Sequence, residues 1–301
     1  MPEFPDIEVY REALSAKVLN QELQQVVIRN PFVMRTAVPP IFAVDEREVQ
    51  TVQRMGKRIV FGLADDYWLV IHLMIAGRLQ WFDKPSGTGK ARKPPSGKQL
   101  LARFDFTTGA LYLTEAGTKR RASIHLLQGA EALRALDPGG LEVMQTSFDE
   151  FCRRVRAENH TLKRTMTDPK ILSGIGNAYS DEILHRAKLS PMIQTGKADD
   201  ETLRRLYDAI RDVLEQWTER LREQCKSHGG FPSKVTAFHD EMAVHGKFGE
   251  PCPVCGAKVQ RIRYATNETN YCARCQTGDK VLRDRGLSRL LKASWPGTLE
   301  E

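Results

Sequence analysis

The chain has 301 residues, 41% hydrophobic and 28% charged, with a formal net charge of +7 and an isoelectric point near 9.1. That length allows two domains with separate cores, and the charge favours a polyanionic partner. No apolar run approaches the ~20 residues of a membrane span, and no basic-then-apolar leader opens the chain.

The chain starts Met1-Pro2-Glu3-Phe4-Pro5-Asp6. A small residue at position 2 favours removal of Met1, which would leave Pro2 with a secondary amine. An α-amino group titrates near pH ~8, so part of it is nucleophilic at neutrality. With a carbonyl carbon such an amine forms an iminium, a cation that cannot lose a proton to become a neutral imine and therefore stays an electron sink. Glu3 adds a carboxylate for proton transfer. Taken alone, the same residues read as an ordinary terminus with a solvated first-turn acid.

Residues 5–19 read as a helix, with Ile7, Tyr10, Leu14 and Val18 on one face and Pro5 in its first turn. Short alternating or apolar segments follow at 24–29, 49–53, 58–63, 68–71, 78–81, 100–106 and 111–114. Gly56, Asp65-Asp66, Gly77 and Thr108-Gly109 punctuate them, which predicts a β-sandwich or flattened barrel. Lys57 lies at a turn entering a strand, where it reaches either solvent or a phosphate. The Gly/Pro/Lys-rich stretch 83–98 reads as a loop. The basic run Thr118-Lys119-Arg120-Arg121 makes Arg120 and Arg121 candidates for DNA contact.

Asp137-Pro138-Gly139-Gly140 breaks the chain, and helical periodicity then replaces strand periodicity, so a domain boundary is expected near 137–146. Phe148, Phe151 and Val155 mark one helix. Further on, Ser173-Gly174-Ile175-Gly176-Asn177 leads into a helix reaching about Lys188. A helix N-terminus offers free N–H groups to phosphate, and Lys163 and Asn177 add side-chain donors. The plainer alternative is a Gly-rich turn with an asparagine cap. Residues 199–222 form a long amphipathic helix whose stripe Leu203, Leu206, Ile210, Leu214, Trp217 and Leu221 is core.

The strongest local signal is C-x2-C-x16-C-x2-C, formed by Cys252, Cys255, Cys272 and Cys275. Two knuckles joined by a hairpin-length spacer predict one structural Zn²⁺, because all four ligand positions are filled and none remains for water activation. Two close cysteine pairs fit a metal site in a reducing compartment rather than a disulfide scaffold. Arg261 and Arg263 lie on the expected hairpin. Residues 277–301 continue past the finger, where Leu282, Leu287, Leu290 and Leu291 suggest a short basic helix.

Pro2-Glu3, Lys163 with Gly174-Ile175-Gly176-Asn177, and the four-cysteine finger occur in this order. In that combination the chain resembles the formamidopyrimidine-DNA glycosylase/endonuclease VIII (Fpg/Nei) family over roughly residues 1–276. The resemblance implies an α+β fold: an N-terminal β-sandwich with a leading helix (1–136), a helix–two-turn–helix domain (146–240), a β-hairpin zinc finger (245–280) and an extension (281–301). It implies a bifunctional glycosylase and abasic-site lyase that flips an oxidised base from duplex DNA, with Pro2 attacking C1′, Glu3 moving protons, and β/δ-elimination cutting the strand. The turn-lysine role falls on Lys57, and the phosphate contacts fall on Lys163 and Asn177. The expected partner is damaged double-stranded DNA, with no organic cofactor and no membrane. The protein is expected to be a monomer in the cytoplasm, associated with the nucleoid.

Three departures stand out. The family's finger arginine position holds Asn267, leaving its role to Arg261 or Arg263. The typical His-Leu-Gly-Met-Ser-Gly reads His72-Leu73-Met74-Ile75-Ala76-Gly77, so Met74 or Ile75 is the expected void-filling wedge. The partner Arg-Phe pair is replaced by Thr114–Arg121. A non-catalytic or lyase-only protein that binds damaged DNA or abasic sites is the alternative these departures leave open.

Overall fold

A computed structural model describes residues 1–84, 93–227, 229–232, 235, 239–264, 267–284 and 297–299. The chain divides into two units. One holds Met1–Pro138 and Trp217–Thr236, the other Gly139–Gln216 and Ala237–Glu301.

In the first unit α1 (Phe4–Val18) starts at Glu3, whose N–H donates to Asp6 Oδ2 at 2.9 Å in a capping box, with Pro5 in the first turn. Its buried stripe Ile7, Tyr10, Leu14 and Val18 enters the core. Among the described residues eight antiparallel strands follow: β1 (Glu22–Ile28), β2 (Arg47–Met55), β3 (Arg58–Leu63), β4 (Tyr67–His72), β5 (Gly77–Asp83), β6 (Leu100–Phe106), β7 (Gly109–Glu115) and β8 (Ser123–Gln128). Their order is β5-β7-β6-β1-β2-β3-β4-β8. β1 and β2 share only the pairs Glu22–Glu48 and Leu23–Arg47, so the sheet folds there into two four-stranded leaves. One apolar cluster draws Leu23, Phe104 and Leu113 from one leaf and Val52, Phe61 and Ile71 from the other, which makes the unit a sandwich.

β3 and β4 are buried on both faces because α2 (Ala130–Leu136) covers the outside of their leaf, with Leu133 and Leu136 against Val60 and Val70. This explains why they read as continuous apolar runs. β8 and α2 have no counterpart in the sequence reading. Polar His125 and Gln128 interrupt β8, and α2 is a short helix with no buried residue of its own.

The second unit contains α3 (Phe148–Arg156), α4 (Leu162–Thr167) and α5 (Asn177–Ala187). Ser147 and Thr161 cap α3 and α4 by accepting from the Glu150 and Arg164 amides. α5 ends at Lys188, in the left-handed region at φ 53°. α6 (Asp200–Ser227) runs past the expected end at 222, because Cys225 continues the stripe and joins Leu221 and Val9 in one buried cluster, all three within the first unit.

The finger follows, with β9 (Val259–Arg263) paired to β10 (Glu268–Cys272) and the short α7 (Ala273–Thr277). Beyond it Leu282 and Leu299 pack on Ile262, Tyr271 and Ala273, and Leu282 N donates to Tyr271 Oη at 2.7 Å. Residues 281–284 are not helical; most of the expected tail helix lies outside the described residues.

Candidate DNA-repair site and zinc centre

The chain start is held inside the first unit rather than projecting into solvent. Pro2 and Glu3 are buried, and Met1 is half-buried. Burial lowers the pKa of the terminal amine, Glu3 and Asp6 raise it, and Arg78 and Lys57 lower it. This amine, that of Met1, thus feels the charges of two acids and two cations. Asp6 is 2% exposed, and burial pushes its carboxyl up to about 7. Burial also lowers the pKa of Lys57, against the attraction of Glu3. The structure thus gathers Pro2, Glu3 and Lys57 and adds Asp6 and Arg78. The i, i+3 spacing of Glu3 and Asp6, a capping-box pattern, was the signal for Asp6; Arg78 had none.

Arg58 and His72 are paired on neighbouring strands, and His72 is pulled down to about 4 by burial, with Arg58, Lys57 and His125 adding to the shift. His125 is lowered as well, by burial and by Arg58 and Arg35. This basic row beside Lys57 keeps its imidazoles neutral at pH 7 and suits an anion. It was illegible in sequence because its members come from three separate strands or turns.

The turn between β4 and β5 presents Met74, at φ 52°, and Ile75, which is 58% exposed. Arg78 Nη1 holds it by donating to Ile75 O at 3.2 Å and Gly77 O at 2.7 Å. Position 77 must be glycine, since a β-carbon there would lie 2.3 Å from Leu73 O. Arg120 and Arg121 are exposed in the turn before β8. Buried Glu115 shapes that turn, accepting from the Arg121 amide at 3.0 Å and the Ala122 amide at 3.0 Å.

In the second unit Lys163 and Asn177 come together. Lys163 Nζ donates to Asn177 O at 2.8 Å and to Asp181 Oδ1 at 2.5 Å. Asp181 is fully buried, and its other oxygen meets His245 Nδ1 at 2.8 Å. The Asn177 side chain donates from Nδ2 to Glu268 O on β10 at 2.9 Å. Glu182, one residue along α5, accepts from the amides of Ala243, Val244 and His245, which ties the approach to the finger onto this helix.

The four cysteine sulfurs lie within 4.8 Å of one another, with Cys252–Cys275 at 3.9 Å and Cys255–Cys272 at 3.4 Å. Zn–S bonds of about 2.3 Å in a tetrahedron place sulfurs about 3.8 Å apart, so the set fits Zn²⁺. Hairpin bonds from Cys252 N to Ala257 O at 2.8 Å and from Gly256 N to Cys252 O at 2.9 Å form the first knuckle. Arg261 lies over Phe248 at 4.0 Å and 3.5 Å from Glu268, while Arg263 is exposed. Asn267 is exposed at the other end of the hairpin turn, its carbonyl accepting from Tyr264 N at 2.8 Å.

A sandwich bearing a buried amino-terminal site, a helical unit with a Lys–Asn cradle and a four-cysteine hairpin finger define a class of zinc-containing DNA glycosylases. Family models match all three parts: the formamidopyrimidine-DNA glycosylase N-terminal domain over residues 1–123, its H2TH domain over 136–227, and the zinc finger found in FPG and IleRS over 249–278. A formamidopyrimidine-DNA glycosylase of Thermus thermophilus is 32% identical over 281 residues, covering 92% of this chain and 98% of the relative. That of Heliobacterium modesticaldum is 30% identical over 282 residues, covering 92% and 100%. The crystal structure of MutM (Fpg) from Thermus thermophilus superposes with a TM-score of 0.73 at 28% identity, covering 91% of this chain and 98% of that one. A Lactococcus lactis Fpg in complex with abasic-site DNA shares the fold, with a TM-score of 0.78 at 23% identity and coverage of 91% and 99%. The chain belongs to the formamidopyrimidine-DNA glycosylase (Fpg/Nei) family. The expected fold and the single structural zinc stand, and no helix among the described residues is long and apolar enough to cross a membrane.

Proposed function

We propose that this chain is a base-excision-repair glycosylase with abasic-site lyase activity, acting on oxidised bases in duplex DNA. The observation that carries this reading is the burial of Pro2 together with the carboxylates of Glu3 and Asp6 at the start of α1, where Glu3 N donates to Asp6 Oδ2 at 2.9 Å. Once Met1 is removed, Pro2 presents its own amine among Glu3, Asp6, Lys57 and Arg78. The deprotonated nitrogen forms a bond to C1′ while the base departs with the glycosidic electron pair and takes a proton. C1′–O4′ then opens, O4′ is protonated, and an iminium remains. Loss of a proton from C2′ breaks the 3′ C–O bond, and a second elimination breaks the 5′ one.

In this scheme Glu3 carries the protons and Lys57 positions the sugar and its phosphate. Lys163 and Asn177 hold backbone phosphate, Met74 and Ile75 fill the void left by the flipped base, and Arg120, Arg121, Arg261 and Arg263 contact the duplex. The divisions 1–136, 146–240, 245–280 and 281–301 serve as functional segments of a monomer associated with the nucleoid. Zn²⁺ on the four cysteines is structural and fixes the hairpin that carries Arg261 and Arg263.

Borohydride trapping on duplexes carrying 8-oxoguanine, an oxidised pyrimidine or an abasic site, with peptide mapping, tests the reading. A covalent adduct at Pro2 on a damaged base is expected, and retention of Met1 should abolish it. Trapping on the abasic site alone would reduce the protein to a lyase. No trapping with tight abasic-site binding would make it the non-catalytic binder that Asn267 favours.

A further inference from the structure

Each zinc-bound thiolate is a strong acceptor, and four of them on one divalent ion leave the centre with a net charge near −2. Hydrogen-bond donors therefore decide how tightly such a centre holds its ion. Two cysteines obtain donors from the finger's own knuckles, Cys255 from the Ala257 amide and Cys272 from the Cys275 amide. Cys252 is served differently. His185, on the last turn of α5 and 6% exposed, places Nε2 at 3.3 Å from the Cys252 sulfur, itself 2% exposed. A metal-bound thiolate only accepts, so the ring nitrogen facing it must carry the proton.

We propose that His185 is a positioning residue for the zinc centre: its Nε2–H donates to the Cys252 thiolate and couples metal retention to α5. The coupling has a second strand. Gln276, buried on α7, accepts from Cys272 N at 2.8 Å and donates to Leu189 O, just beyond α5, at 2.9 Å. The same helix carries Asn177 at its start, Asp181 against Lys163, and Glu182 beneath the amides of residues 243–245. The zinc thiolate is therefore wired through one eleven-residue helix to the Lys163–Asn177 cradle. A zinc finger carried on a tether would need no side-chain donor from outside.

The test compares zinc-loaded wild type with H185F, which keeps an aromatic ring without a donor, and H185Q, which keeps an N–H donor. Zinc release to a chromogenic chelator should be about 10- to 100-fold faster in H185F and close to wild type in H185Q. In the cobalt-substituted proteins the sulfur-to-cobalt charge-transfer band should shift to lower energy in H185F, because a thiolate without its donor gives up charge more readily, while H185Q should match wild type. Loss of packing alone would not move that band and would not be rescued by glutamine. Equal release rates and an unmoved band in H185F would overturn the proposal. Should H185F not fold, nitrogen-edited NMR of the zinc-loaded wild type decides: a slowly exchanging Nε2–H on His185 is expected, and an Nδ1–H tautomer would refute it.

Discussion

Asp6→Asn is the sharpest single perturbation of the N-terminal cluster. The Asp6 carboxyl is 2% exposed, and burial raises it from an ordinary value of 3.8 to about 7. A folded-state pKa above the unfolded one means that the native protein binds the extra proton. The stability this contributes is fully present below about pH 4 and is lost as pH rises through 7. The shift spans about three pH units, and at 1.36 kcal/mol per unit it amounts to on the order of 4 kcal/mol.

Asparagine keeps an oxygen that accepts from the Glu3 amide, so the capping box survives and only the titration is removed. Between about pH 5.5 and 8.5 the wild type should lose roughly 2 kcal/mol more than the variant. Urea unfolding of both proteins at several pH values measures this. The zinc thiolates and other titrating groups remote from Asp6 contribute equally to both proteins and cancel in the difference. Parallel stability curves for wild type and D6N would show that Asp6 titrates normally and would refute the reasoning.

Three further outcomes are expected. Gly77→Ala forces a β-carbon to 2.3 Å from Leu73 O, so it should cost about 2–4 kcal/mol in urea unfolding and displace the Met74–Ile75 turn, read out by increased protease cleavage there. Lys163→Met leaves buried Asp181 with His245 as its remaining partner of the two; breaking a buried pair from one side should cost about 3 kcal/mol and reduce the salt slope of DNA binding by about one. Removing zinc with a chelator should unfold residues 249–278 and raise amide exchange in α5 through Glu182 and Gln276, while the first unit keeps its protection.

What the sequence disclosed and what it hid follow from the same physics. Strands with strict alternation or continuous apolar runs, such as Arg58–Leu63 and Leu100–Phe106, were legible because burial on a period of two leaves a direct trace. The zinc knuckles were legible because their ligands are local in sequence. His72, Arg78 and His185 were not, because each owes its environment to groups brought in by other elements. His72 depends on Arg58 and His125 across two strand pairings, and His185 faces a sulfur 67 residues away.

The altered positions also become intelligible as a set only in the fold. Asn267 replaces the expected arginine at the hairpin turn. On the adjoining strand Glu268 offers its carbonyl to Asn177 and its carboxylate to Arg261. Two of the candidate DNA contacts are thus engaged by one residue of β10, which leaves exposed Arg263, among the described residues, as the unencumbered cation of the two hairpin arginines. If a finger arginine grips phosphate here, the geometry favours Arg263 over Arg261. Arg263→Gln should then weaken duplex binding by about tenfold at physiological salt, since one lost phosphate contact is worth roughly 1 kcal/mol or more. Arg261→Gln should change binding little and instead loosen the hairpin by freeing Phe248. Equal losses in the two variants, measured by salt-dependent anisotropy, would show that both arginines reach the duplex once DNA is bound.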